Sequence, residues 1–574
     1  MSTSYFKEYH KWLSLTSLSD SERQELDKIA NDKQDLESRF SSSLVFGTAG
    51  LRGKMRLGSN GMNVYTVAQA TAGIAKYIKN VHADDKAVVI AYDSRNNSEL
   101  FAKTAAEVLA GNGISCYIFD SIRPTPELSF ALRYLKCTAG INITASHNPK
   151  QYNGYKVYWD DGAQIAPDQA AEIASYMAQI DIANIAKMKF SDGVDAGIIK
   201  IIGREIDDKY LEAVTAQAID LTSIKKVTDQ LNIVYTPLHG AGYKLIPEIL
   251  NTIGIKNCHM VQEQALPDGE FPTTPKPNPE YPEVFSYGIA LADKVGSDLI
   301  IATDPDADRV GIMIREKNGN FKALNGNQTG ALLLDYIINS YIRYNNMPDS
   351  PYVVKSIVTT ELMAKICQKH NVELYNVLTG FKYIGEVIKK KQSQGNEGFL
   401  FGAEESYGYL KGTYARDKDA VVATMLICEM TAYYKLRGMT LADALDCLYR
   451  QYGFSLEKTQ EFVFDGYDGA EKMKNIMNRL RADKITSIAN INIATTGDYL
   501  NGEVLYHKNQ RITSTGLPFS DVLRFELETG DVIIVRPSGT EPKVKIYYLL
   551  SAENFEQAQN KLEQYMQAVS ILID

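Results

Sequence analysis

Five short apolar runs, each closing on a polar or charged loop, govern what this chain of 574 residues can fold into. AVVIAY stops at Asp93-Ser94-Arg95, INIT at Ala145-Ser146-His147, and DLIIAT at Asp304-Pro305-Asp306. FLFG stops at Ala403-Glu404-Glu405-Ser406, and DVIIV at Arg536-Pro537-Ser538-Gly539. Runs this short and this rich in β-branched residues read as strands, and the amphipathic segments between them as helices, which together predict α/β layering. In open α/β sheets ligands gather beyond the carboxyl ends of strands, so chemistry is expected in these loops.

At roughly 100–200 residues per domain the length predicts about four domains, each with its own core. The seams are expected near 205, 322 and 455, where strand-loop-strand units give way to helical or charged connectors. That places a helical lead-in and the serine loop in 1–205 and the aspartate loop in 206–322; the Glu404 loop falls in 323–455 and the Arg536 loop in 456–574. Ser19-Asp-Ser-Glu22 has the capping-box pattern ahead of a helix through Leu26 and Ile29, followed by a polar stretch, NDKQDLESR. The Pro-rich passage at 265–283 could be a linker, although its length and mixed chemistry suit an ordered loop nearly as well.

Composition excludes several classes. The hydrophobic and charged fractions, 45% and 23%, are those of a soluble globular protein. A net charge of -9 argues against nonspecific nucleic-acid binding, which needs excess Lys and Arg to displace counterions. Six cysteines without any CxxC suggest neither a zinc site nor a disulfide framework. With no signal-peptide pattern and no apolar run near the roughly 18 residues of a membrane span, a cytoplasmic protein with no membrane partner is expected.

Asp304, Asp306 and Asp308, at i, i+2 and i+4, can aim three carboxylates at one point, and hard oxygen ligands favour Mg²⁺ or Ca²⁺. An EF-hand is excluded, because Arg309 and Arg315 stand where that loop needs glycine and glutamate. The competing reading is a solvated acidic turn. TASHNPKQYNGYKVY, from Thr144 to Tyr158, offers the Ser146 hydroxyl, the His147 imidazole and the ammonium groups of Lys150 and Lys156. A lone serine is a poor nucleophile, yet beside a metal and cations it can carry a phosphoryl group of roughly -1.5 to -2 charge. RPSGTEPKVK at 536–545 joins a guanidinium and hydroxyls to a glycine that lets backbone N–H groups approach an anion. Each of these loops has a plain turn as its alternative.

Together and in this order, the loops resemble the α-D-phosphohexomutase superfamily over nearly the whole chain. Its active-serine motif T-A/G-S-H-N-P is matched by Thr144 to Pro149 and its NG(x)K element by Asn153 to Lys156. D-x-D-x-D-R is matched by Asp304 to Arg309, the sugar loop G-E-E-S by Ala403 to Ser406 with alanine in place of glycine, and R-x-S-G/N-T by Arg536 to Thr540. FGTAGLRGKM with Arg52, YTPLHGAG and PTTPKPNPE resemble the phosphoglucomutase/phosphopentomutase branch. TGFKYIG from Thr379 and ARDKDA with Lys418 are similar to loops that contact sugar and phosphate in glucose-type members.

The resemblance implies a four-domain fold, three related α/β domains with mixed sheets plus a C-terminal α+β domain, around a central active-site cleft. It implies that Ser146 is phosphorylated and binds Mg²⁺ with Asp304, Asp306 and Asp308, that His147 and Lys156 supply hydrogen bonds and proton transfer, and that Arg52 and Arg309 steady developing charge. Thr379, Gly380, Glu404, Ser406 and Lys418 would meet the sugar. Arg536, Ser538, Gly539 and Thr540 would hold the phosphate that does not react. The implied reaction interconverts glucose 1-phosphate and glucose 6-phosphate through glucose 1,6-bisphosphate, which also serves as activator, in a monomer or weak dimer. E-E-S-Y is closer to the glucose-type E-E-S-F than to E-M-S-G-H. Pentose or mannose phosphates and bisphosphate synthesis remain alternatives on the same scaffold, as does a phosphatase that admits water.

Overall fold

The computed structural model describes residues 4–47, 50–81, 86–464, 469–483, 485–538 and 543–573. The chain forms two compact units. One comprises Met1–Leu324, Ile388–Gly395 and Tyr407–Gly438, and the other Asn325–Val387, Asn396–Ser406 and Met439–Asp574.

The first unit opens with three helices, Ser4–Leu13, Asp20–Ile29 and Lys33–Phe40. Ser19 caps the second with the reciprocal Glu22 bond that the sequence predicts. The polar stretch after it is not an open connector: Asp32 caps the third helix, and Leu36 and Phe40, one turn apart, are buried beside Trp12 and Leu26. Two apolar residues at helical spacing suffice to dock a helix that is otherwise charged.

Six strands form the first sheet, in the order Leu51–Lys54, Tyr152–Trp159, Ala139–Ile143, Ala87–Tyr92, Ser115–Phe119, Ile199–Ile202. The last four run parallel, and the first two are antiparallel additions at one edge. Val67, Ile74 and Ile78 of the helix Val64–Val81 join a core with Val88, Ile90, Ile141 and Val157, which accounts for the uninterrupted apolar character of AVVIAY. A five-stranded sheet follows, in the order Phe321–Leu324, Val310–Arg315, Leu299–Thr303, Asn232–Thr236, Asn257–Met260.

Both chemistry-bearing loops of this unit close antiparallel pairs. Residues 144–151 join Ala139–Ile143 to Tyr152–Trp159, with Asn142 opposite Lys156. Residues 304–309 join Leu299–Thr303 to Val310–Arg315, with Thr303 opposite Val310. The Pro-rich passage is an ordered part of the unit, with short helical turns at Gln262–Ala265 and Pro282–Phe285.

In the second unit Glu373–Val377, Tyr352–Ser356 and Phe399–Glu404 are parallel neighbours. Ala403, where the family has glycine, lies buried inside the last of these, in a strand conformation open to any residue. An antiparallel sheet then runs Phe454–Val463, Lys543–Ala552, Val532–Pro537, Leu523–Leu527, Ile491–Asp498, Glu503–Tyr506, Arg511–Ser514. Ile533, Val535, Val544 and Ile546 from this sheet share a core with Met477 and Leu480 of the helix Gly469–Ala482 and with Leu562 and Val569 of the helix Phe555–Ile573. This is the α+β closing domain expected from the resemblance. No helix among the described residues is long and apolar enough to cross a membrane.

Candidate active site

Ser146 follows the strand Ala139–Ile143 with φ at 52°, in the left-handed region that side-chain-bearing residues seldom occupy. Its N–H donates to Thr144 Oγ1 at 2.8 Å, and Thr144 N–H donates to the Gly154 carbonyl at 3.1 Å. A β-carbon on Gly154 would lie 2.4 Å from the Thr144 carbonyl oxygen, so the NGYK element requires glycine there. Arg95 grips the loop from inside. Its guanidinium donates to the carbonyls of Ser146, Asn148, Pro149 and Tyr152, while its Nε lies 3.3 Å from Asp93 Oδ2, both side chains fully buried.

Asp304, Asp306 and Asp308 are buried, and one oxygen from each lies within 4.8 Å of the others. Asp304 Oδ2 accepts from Ser146 Oγ at 2.7 Å, and Asp304 Oδ1 accepts from the N–H groups of Asp308 and Arg309 at 3.1 and 3.0 Å. Asp306 Oδ2 accepts from Thr125 Oγ1 at 2.8 Å and from Lys156 Nζ at 2.7 Å. Asp308 Oδ2 faces Lys156 Nζ at 3.4 Å and Lys418 Nζ at 3.2 Å. The YTPLHGAG segment props this loop from beneath: Ala241 N–H donates to the Pro305 carbonyl at 2.8 Å, and a β-carbon on Gly240 would meet Pro305 Cα at 2.4 Å.

Burial, reinforced by the charges of Asp306 and Asp308, holds the Asp304 carboxyl well above the usual carboxylate range. Burial acts the same way on Asp306, but the Lys156 ammonium and the bonds to its carboxylate outweigh it and keep Asp306 ionised. Lys156, although buried, is held in its charged form by Asp306 and Asp308, which suits it to stabilising negative charge. His147 is pushed well below the usual imidazole range, first by loss of solvent and then by Arg309 and Arg52, so its ring is neutral. Ser146 Oγ thus lies between Asp304 Oδ2 at 2.7 Å and His147 Nδ1 at 3.0 Å, within proton-transfer reach of both.

The site fits a divalent cation. Asp306 Oδ1 and Asp308 Oδ1 are buried and have no hydrogen-bond partner, and an acceptor left so in a protein interior is costly. Asp304 is held in its neutral form by burial and by the two neighbouring carboxylates, and a hard cation with oxygen ligands would let it ionise beside them.

The structure brings together Ser146, His147, Lys156, the three aspartates and Lys418. Lys418, expected among the sugar contacts, here completes the ion pairs around Asp308 and also meets Asp417 Oδ1 at 3.1 Å. Arg309 Nη1 donates to Glu280 Oε1 at 2.6 Å, which gives the PTTPKPNPE motif a role, and Arg52 Nη1 donates to Asn148 Oδ1 at 3.0 Å. Lys150 points elsewhere, in an exposed pair with Glu270 at 2.7 Å. Sequence reasoning missed Arg95, Thr125 and the Tyr158–Asp417 bond of 2.8 Å. Arg95 sits at the end of AVVIAY, in a strand-end loop where chemistry is expected but where no motif assigns the arginine a role.

In the second unit, Glu404 Oε1 accepts from Gly380 N–H at 2.7 Å, so the Thr379 turn and the E-E-S loop meet. Ser406 ends this unit's segment, partly exposed. Glu405 accepts from Ser356 Oγ at 3.1 Å, and burial together with the Glu404 charge pushes its carboxyl up to about 7. Arg536 and Ser538 line a cavity of about 370 Å³ with Lys474, a cation absent from the motif. Gly539 and Thr540 lie outside the described residues.

A serine hydroxyl set against a buried carboxylate triad, with ammonium groups to receive anionic oxygens, is the equipment of a phosphoryl-transfer enzyme. The chain matches the family described as phosphoglucomutase/phosphomannomutase in four consecutive pieces: alpha/beta/alpha domain I at 43–183, domain II at 208–319, domain III at 325–452 and the C-terminal domain at 477–553. It is 40% identical to a phosphoglucomutase of Staphylococcus aureus, over 92% of this chain and 94% of that one. Among solved structures, a putative phosphomannomutase from Thermus thermophilus shares the fold at a TM-score of 0.68, 22% identity and coverage of 92% and 99%. So does an Aspergillus fumigatus N-acetylphosphoglucosamine mutase in complex with GlcNAc-6P and magnesium, at 0.52, 12% identity and coverage of 97% and 100%. The chain belongs to the phosphoglucomutase/phosphomannomutase family, and is thus a mutase of the isomerase class.

Proposed function

We propose that the protein is a phosphoglucomutase, which interconverts glucose 1-phosphate and glucose 6-phosphate through a phosphorylated Ser146 and a glucose 1,6-bisphosphate intermediate that also primes the enzyme. The observation that carries this reading is the 2.7 Å contact of Ser146 Oγ with Asp304 in a triad that keeps two buried oxygens without hydrogen-bond partners. The S. aureus relative bears that activity in its name, and the A. fumigatus neighbour holds a sugar phosphate and magnesium.

In this reading the bond between phosphorus and Ser146 Oγ breaks as one forms to the free hydroxyl of the hexose monophosphate. The hydroxyl proton passes to neutral His147 and on to Ser146 Oγ, which its ring already touches. Lys156, held charged by Asp306 and Asp308, would stabilise the equatorial oxygens of the moving group together with Lys418. Mg²⁺ held by Asp304, Asp306 and Asp308 would supply further neutralisation of phosphoryl charge. The bisphosphate then returns its other phosphate to Ser146. Thr379, Gly380, Glu404 and Ser406 would contact the sugar, and Arg536 and Ser538 the resting phosphate. The family's four domains would divide near 205, 322 and 455, and free cysteines throughout suit a reducing cytoplasm.

The test is Ser146→Ala, assayed for isomerisation with trace bisphosphate and for the phosphoryl mass on the intact chain. Loss of both is expected, and a variant that still isomerises at near the parent rate overturns the reading. Comparing kcat/KM for glucose, mannose, ribose and deoxyribose 1-phosphates then fixes the sugar, with glucose expected to lead.

A further inference from the structure

The helix Thr125–Tyr134 begins at the triad, where Thr125 Oγ1 donates to Asp306. Eight residues on, about 12 Å along its axis, Arg133 enters a different pocket of about 450 Å³ in the same unit. Arg133, Lys136, Lys389 and Arg416 line it, against Asp160 and Asp161, so four cations face two carboxylates and the wall carries +2. Lys389 Nζ already lies 2.9 Å from Asp161 and 3.9 Å from Asp160. Arg133 and Arg416 both direct Nη1 at the single carbonyl of Thr413, and Arg416, only 3% exposed, also donates to Gln392 Oε1. Like charges gathered in one wall repel each other, and an anion in the pocket relieves that repulsion. The phosphoryl-transfer chemistry uses none of these side chains.

Two routes lead from this pocket back to the triad. One is the helix itself. The other is the segment 413–418, in which Arg416 is followed by Asp417, held by Tyr158 at 2.8 Å, and by Lys418, on Asp308 at 3.2 Å. Buried Ser129 ties them together: its Oγ donates to the Gly162 carbonyl at 2.6 Å and accepts from Arg416 N–H at 2.9 Å.

We propose that this pocket is a second anion site, which takes a phosphate dianion, free or as the ester of a small metabolite, and that its occupancy is coupled to the triad through Ser129. The pocket is of ligand size and its surplus charge matches a dianion.

The experiment labels the lysines of the full-length protein by reductive methylation, mapped by peptide mass, with inorganic phosphate in one arm and 3-phosphoglycerate in the other. At ten times its dissociation constant a bound anion should slow modification of Lys136 and Lys389 about tenfold. The anion effective at lower concentration identifies the source. Arg133→Gln should lose this protection. Lys136→Gln/Lys389→Gln, which changes exposed side chains alone, should keep its basal turnover while losing a response of kcat to the anion that the parent shows. Unchanged labelling with both anions, or equal protection in Arg133→Gln, overturns the site. Protection in the parent with no change in kcat overturns the coupling. The labelling readout is independent of whether the mutase reading holds.

Discussion

Arg95 and Ser146 are joined through the main chain, the guanidinium donating to the serine's carbonyl at 2.5 Å while Asp93 holds it from behind. The Ser146 loop is thus held in place by a buried cation that bonds its main chain. Arg95→Lys keeps the charge but cannot span four carbonyls. Loop misplacement of this kind costs about 10²-fold in rate. Steady-state kinetics should show the loss in kcat, with KM within a few-fold, and hydrogen exchange should show faster exchange across 146–152. An unchanged kcat would assign Arg95 to packing alone.

The positive φ of Ser146 stores strain. Ser146→Gly should therefore raise stability by about 1 kcal/mol while removing activity, since glycine occupies that region without penalty. Urea denaturation of the two proteins, both stripped of phosphate and metal, compares them. Equal or lower stability in the glycine variant would show that the hydroxyl's bonds outweigh the strain.

Asp306 carries the shortest contact to Lys156. In metal-free protein Asp306→Asn leaves a buried ammonium with poorer partners, and about 2–4 kcal/mol of stability should go with it. Excess Mg²⁺, at about 100 times its dissociation constant, should stabilise the parent by about 2.7 kcal/mol and the variant by far less. Thermal melts with EDTA and with MgCl₂ measure both effects, and an equal Mg²⁺ response would remove Asp306 from the ligand set.

Glu457 lies against Thr360, whose hydroxyl donates to it at 2.5 Å, and burial pushes its carboxyl from the ordinary 4.5 up to about 7. A folded state that binds the proton more tightly than the unfolded chain is fully favoured below pH 4.5 and loses that advantage as pH rises to about 7. With allowance for partial solvent screening, stability should fall by about 1–2 kcal/mol across this window relative to Glu457→Gln. Parallel denaturation curves for the two proteins, identical in slope against pH, would contradict the assignment.

Much of this was legible beforehand. LIIAT and INIT announced strands because β-branched runs bounded by turn formers leave little else to be, and Asp304, Asp306 and Asp308 announced a common focus by their spacing. What stayed hidden depended on partners remote in the chain. Nothing around Arg95 says that its acceptors will be carbonyls some 50 residues away, since backbone acceptors carry no signature. Thr125 meets Asp306 across 181 residues, and Asp417 meets Tyr158 across 259. The helix Lys33–Phe40 escaped because two apolar residues are a faint pattern until Trp12 stands opposite. A hairpin connection and a strand-to-helix connection also look alike in sequence, and only the strand register showed that both chemical loops are of the first kind.

Residues 407–438 belong, with 388–395, to the unit whose main segment ends at 324, and their helix Ala420–Lys435, buried along most of its length, packs on the helices Gly242–Thr252 and Leu221–Val227. During synthesis the ribosome must therefore emit more than a hundred further residues before the leading half can cover that apolar surface. A nascent chain arrested near 324 should be a client for chaperones, and a gene cut there should yield inclusion bodies instead of a working half.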